Sequence, residues 1–76
     1  MLQAPHLEDI ALQSYEAGQI KAASWVGLMP VPIPEIYLRY VAAWAEGYSQ
    51  RFSRMHQHLA KHNFAQGFID TFRHAE

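Results

Sequence analysis

Three histidines, His56, His58 and His62, form the one string in this chain that resembles a metal motif. On a helix His56 and His58 project about 160° apart, whereas His58 and His62 lie one turn apart and can share an ion. Zinc needs a third or fourth ligand, and no acidic residue occurs between Gly47 and Ile69 to supply it locally. The histidines are therefore expected to be solvated side chains beside an apolar stripe. No metal or cofactor is expected, with His58 and His62 as the remaining candidates. Nucleophilic chemistry finds no better footing. Ser14, Ser24, Ser49 and Ser53 have no evident base and orienting acid, and no glycine-rich phosphate loop or carboxylate pair on the apolar stripe is present. Glu8, Asp9 and Glu16 fit helix-start and solvent-face positions. The expectation is a protein without enzymatic activity.

Composition narrows the classes further. The chain has 76 residues, 50% of them hydrophobic, no cysteine and a formal charge of -1. One small helical domain over 1–76 is the most that fits. Without disulfides so small a core needs help, and association is the leading remedy. Near-neutral charge argues against a general polyanion binder. The charge is nevertheless unevenly placed. Residues 1–38 sum to -3 through Glu8, Asp9, Glu16, Glu35 and Lys21. Residues 39–76 sum to +2, with Arg39, Arg51, Arg54, Lys61 and Arg73 against Glu46, Asp70 and Glu76. Such asymmetry favours self-association or an acidic partner. Glu8 and Asp9 stand where a signal peptide would be basic, and the longest apolar run, residues 22–34, is too short for a bilayer and holds three prolines. A cytoplasmic protein without a membrane segment is expected.

Periodicity supplies the elements. Leu7, Ile10, Ala11, Ser14 and Ala17 recur at helical spacing after Pro5, with Glu8 and Asp9 at the positive end and Gly18 as a natural stop. Gln19–Val26 reads as a second short helix. From Leu28 to Pro34 proline alternates with apolar residues, which predicts a stiff extended connector with Met29, Val31 and Ile33 on one side. The strongest signal follows. Tyr37, Tyr40, Val41, Trp44, Tyr48, Phe52, Met55 and Leu59 all project within about 60° of one direction on a helix. An amphipathic helix over about 34–61 would span roughly 42 Å, against a diameter of about 30 Å for a compact chain of this size. Either it breaks near Gly47 or a second molecule covers the overhang. The unbroken phase of the stripe favours the second. Asn63 is a plausible cap before a last helix, on which Phe64, Phe68 and Phe72 stack at four-residue steps.

One further pattern lies at 19–36. Ala23 followed four residues later by Gly27, with apolar Ala22, Val26, Leu28, Ile33 and Ile36, resembles the helix-turn-helix of DNA-binding domains. The resemblance covers about fifteen residues and implies a DNA-binding regulator. The chain departs from that pattern by placing Pro30, Pro32 and Pro34 inside the recognition helix and by lacking a base after Lys21 in the stretch.

The sequence thus predicts an all-α protein of three or four helices that binds another protein and forms a homodimer, a small regulator, adaptor or inhibitor. Aromatic residues of this kind are enriched in interface hot spots. The expected partner surface is Tyr37, Tyr40 and Trp44 with Met29, Val31, Ile33 and Arg39. The expected dimer interface is Tyr48, Phe52, Met55 and Leu59. A degenerate helix-turn-helix DNA binder and a His-based metal binder are the alternatives.

Overall fold

The computed structural model of the chain describes residues 7–26 and 35–74, with side chains at 25–26, 35–38 and 74 left out of the description. Three helices and no strand occur among the described residues: α1 Leu7–Val26, α2 Glu35–Ser49 and α3 Arg54–His74. The connector Leu28–Pro34, with Met29, Val31 and Ile33, lies outside them, as does the Tyr37 side chain. No described helix is long and apolar enough to cross a membrane.

The long helix over 34–61 does not form. α2 ends at Ser49, whose Oγ donates to the Glu46 carbonyl at 2.7 Å. The amides of Gln50, Arg51 and Phe52 then bond back three residues, to the carbonyls of Gly47, Tyr48 and Ser49 at 3.3, 3.3 and 3.0 Å. These are tightening turns that satisfy the carbonyls a helix end leaves over. Ser53 starts α3. Its carbonyl accepts from the His56 amide at 2.8 Å, and its Oγ lies 3.0 Å from His56 Nδ1, a side-chain contact at the start of the helix. Folding back lets one chain bury the stripe on itself. Tyr48 packs at a tilt on Phe64 with ring centroids 5.1 Å apart and on Phe52 across the turn at 5.5 Å. The phase kept through Gly47 is that of two helices sharing one core.

Two other boundaries differ from expectation for the same kind of reason. α1 runs through Gly18 without a stop, and α3 runs through Asn63 without a cap. Asn63 Nδ2 instead donates to the Leu59 carbonyl one turn back, at 2.9 Å. Glu8 and Asp9 do lie in the first turn of α1, where carboxylates suit the helix dipole.

The packing gives the helix directions. Ile10 sits in a cluster with Ala45, Tyr48, Ala60 and Phe64, while Ala22 sits in one with Val41, Phe68 and Phe72. Thus α1 and α3 run parallel, and α2 runs antiparallel to both. Most of the packing joins α1 to α3, with less between α2 and α3. Between α1 and α3 the backbones meet. A Cβ on Gly18 would overlap the Phe64 carbonyl oxygen and come within 2.8 Å of the Phe68 nitrogen. A Cβ on Gly67 would overlap the Tyr15 carbonyl oxygen and lie 2.9 Å from its carbon. The flanking positions on α1, Ser14 and Ala22, are small and fully buried. Ser14 Oγ has no hydrogen-bond partner among the described residues, so its place reflects size rather than bonding. The result is elongated, 45 × 19 × 14 Å, with a radius of gyration of 13.0 Å.

Gly47 has a different standing, because nothing lies within 4 Å of a Cβ built there and its φ is not positive. Alanine at this exposed helical position loses less backbone entropy on folding. Gly47→Ala is expected to stabilise the domain by about 0.5–1 kcal/mol, read as a higher thermal midpoint. An unchanged or lower midpoint would mean that α2 does not extend over Gly47.

Candidate interaction surface

The aromatic side chains divide into a buried set and a presented one. Phe68 (1% exposed) and Phe72 stack with centroids 5.8 Å apart, and Trp44 tilts onto Phe68 at 5.5 Å. Trp44 touches both core clusters yet remains partly exposed. Tyr40, one turn earlier on α2, stacks on Trp44 at 5.9 Å and stays 48% exposed. Lys21 Nζ reaches across from α1 to 4.8 Å from the indole centroid, a cation–π contact. Lys21, Trp44 and Tyr40 therefore form a continuous ledge, anchored on Phe68. Arg39, next to Tyr40 in the chain but turned about 140° from Trp44 on α2, is exposed.

Of the four residues expected at a dimer interface, Tyr48 is buried in the chain's own core, under Arg51 whose guanidinium carbon lies 4.4 Å from the ring centroid. Phe52 and Leu59 pack against that core from its edge and keep partial exposure. Met55 is 84% exposed. Leu12 and Ile20 on α1 are also exposed, by 60% and 72%. Their signal was present: neither belongs to the Ile10–Ser14–Gly18–Ala22 series of buried positions spaced four apart.

Polar groups are arranged more for structure than for chemistry. His58 is exposed at a depression of about 220 Å³ between α2 and α3, lined by Glu46, Ser49, Arg54, Gln57, His58 and Lys61. Within it Lys61 pairs with Glu46 at 2.8 Å, a half-exposed ion pair that contributes little. His62 is exposed one turn further on, and among the described residues no group of three His, Cys, Asp or Glu side chains could hold an ion. The Ser53–His56 side-chain contact, not foreseen from the sequence, lies at the start of α3. Of the helix-turn-helix pattern, Ala22 is buried, Ala23 is exposed, α1 continues past both to Val26, and residues 27–34 lie outside the described residues.

One cross-helix network is buried in part. Tyr15 Oη donates to Asp70 Oδ2 at 2.6 Å, and Gln66 Nε2 donates to Asp70 Oδ1 at 2.9 Å. The bond to Asp70 holds the Tyr15 hydroxyl above its ordinary pKa, with desolvation and the carboxylate charge acting in the same direction. A raised pKa means that the folded state keeps its proton longer. The stabilisation is therefore complete below the ordinary tyrosine value, about 10, and is lost as pH rises through the higher folded value. Tyr15→Phe is expected to lower stability at neutral pH, and its difference from the wild type should shrink above pH ~10. Urea midpoints across that range check it, and a constant difference would contradict the assignment.

Comparison with protein-family models, with curated proteins and with solved structures finds no match. The functional reading therefore stands on the surface itself.

Proposed function

We propose that this domain acts by binding another protein, and that the Tyr40–Trp44 ledge with Arg39 is the surface that does so. A regulator, adaptor or inhibitor needs nothing more. The observation that carries the reading is Trp44, fixed from three sides by Phe68, Lys21 and Tyr40 while still presenting part of its surface. A side chain already held in place loses little entropy when a partner covers it. Tyrosine and tryptophan offer large contact area with few rotatable bonds and a polar rim, and an arginine at the edge suits a hot-spot rim.

Tyr40 is the residue to change, because it is half exposed and its loss leaves Phe68 and Trp44 in the core. Affinity capture with the full chain from its source cells, followed by binding measurement with the captured protein, provides the assay. Tyr40→Ala is expected to weaken that binding by at least about tenfold, or roughly 1.4 kcal/mol, with unchanged helical circular dichroism. Equal binding by the folded variant would sink the assignment of this surface.

A further inference from the structure

We infer that the protein bound at the Tyr40–Trp44 ledge presents an acidic segment, with carboxylates that meet Lys21 and Arg51; the inference rests on the protein-binding reading and adds the partner's chemistry. α1 and α2 pack little on each other, so side chains bridge the gap between them. Lys21 Nζ crosses it to lie 4.8 Å from the Trp44 ring centroid, and Trp44 in turn rests on Phe68 of α3. One turn further along α2 is Tyr48, which shares a cluster with Ile10 of α1. The Arg51 guanidinium carbon lies 4.4 Å from its ring centroid. Two aromatic rings one turn apart thus each carry a cation, next to the half-exposed Tyr40.

Among the described residues neither Lys21 nor Arg51 forms an ion pair. Every acid with a described side chain is turned away from them. At about 100° per residue, Asp9 on α1 lies about 120° from Lys21, and Glu8 and Glu16 lie about 140° from it. Glu46 lies about 160° from Trp44 on α2 and is paired with Lys61. Asp70 lies about 160° from Phe68 on α3 and accepts from Tyr15 and Gln66. A contact with a ring face holds a cation in place without using up its N–H donors, which a carboxylate can then accept from. The positive charge is local, because the chain as a whole carries -1. Two cations in such a chain are too few for a nucleic-acid backbone, whose binding rests on many phosphate contacts. An acidic segment that also lays apolar side chains on Tyr40 and Trp44 needs only these.

Selection from a random peptide library displayed on phage, with the full chain as bait, tests the inference when the selected peptides are then titrated. They are expected to carry a net negative charge beside apolar residues. Lys21→Glu and Arg51→Glu should each raise their dissociation constant at least about tenfold with unchanged circular dichroism, and added salt should weaken binding. Arg54→Glu alters the net charge equally but lies beside Glu46, on the other edge of α2, and should leave binding unchanged. Should Lys21→Glu unfold the chain, Lys21→Met decides, because it keeps an apolar stem and removes the charge. Neutral or basic peptides, acidic peptides indifferent to both Lys21 variants, equal weakening by Arg54→Glu, or failure to select any peptide would each overturn the inference. Where peptides of the wrong charge still depend on Tyr40, the protein-binding surface stands and only the partner's chemistry falls. A labelled single-stranded oligonucleotide should not bind at physiological salt. Oligonucleotide binding that Lys21→Glu abolishes would give the ledge to nucleic acid, and a dimer that Lys21→Glu dissociates would give it to a second copy; either overturns the inference.

Discussion

Gly18→Ala and Gly67→Ala are each expected to destabilise the domain by about 3 kcal/mol or more, the upper part of the range for overpacking. Two terms of opposite sign compete. Alanine is favoured over glycine in a helix by about 1 kcal/mol, and at Gly47 that gain stands alone. At Gly18 and Gly67 the added methyl would occupy the carbonyl oxygens of Phe64 and Tyr15, which are backbone atoms and cannot turn aside as a side chain can. The helices must then separate, which loosens the packing beneath Ser14, Ala22 and Phe68 as well. For a chain of this length a total stability of about 4–11 kcal/mol is usual, so either change would remove a large share of it. Denaturant unfolding of the three glycine variants side by side reads the result. A gain at Gly18 or Gly67 equal to that at Gly47 would show that α1 and α3 do not cross there.

Phe68→Ala is expected to cost about 3–5 kcal/mol, the range for removing a buried aromatic ring. Phe68 is 1% exposed and stands where Trp44 from α2 and Phe72 from its own helix converge, next to the Gly18 crossing. Its loss would open a cavity that the crossing backbones are poorly placed to fill. It would also free Trp44 from one of the three groups that fix it. At about 4–8 °C per kcal/mol for a domain of this size, the thermal midpoint should fall by more than 12 °C. A fall of only a few degrees would mean that the upper cluster contributes little.

The helical class, with three or four helices, was legible because apolar residues recur at helical spacing along the whole chain; which number holds was not. Boundaries were less legible, and particular residues show why. Gly18 can end a helix or let two helices touch, and only the approach of Phe64 and Phe68, 46 and 50 residues further along the chain, decides which. Asn63 can cap a helix or bond to the carbonyl one turn back, a choice settled by whether α3 is already packed on both sides. The stripe from Tyr37 to Leu59 kept its phase, and that phase serves one long helix or a hairpin equally well. What selects the hairpin is the burial of Tyr48 against Phe64, a long-range term. The same ambiguity divided the aromatic residues: Tyr48 went to the core and Tyr40 to the surface, although both occupy the same face of α2. The small-residue series Ser14, Gly18, Ala22 was readable from spacing alone and is the feature that sequence reasoning should have weighed.

A single chain completes its own core around the crossing of α1 and α3 at Gly18 and Gly67. Isotope-filtered nuclear Overhauser spectra on a mixture of labelled and unlabelled chains test it most directly. The contacts of Gly18 with Phe64 and Phe68 are expected within one copy only, and so to be missing from the filtered spectra. Gly18 contacts that pass between copies would contradict it.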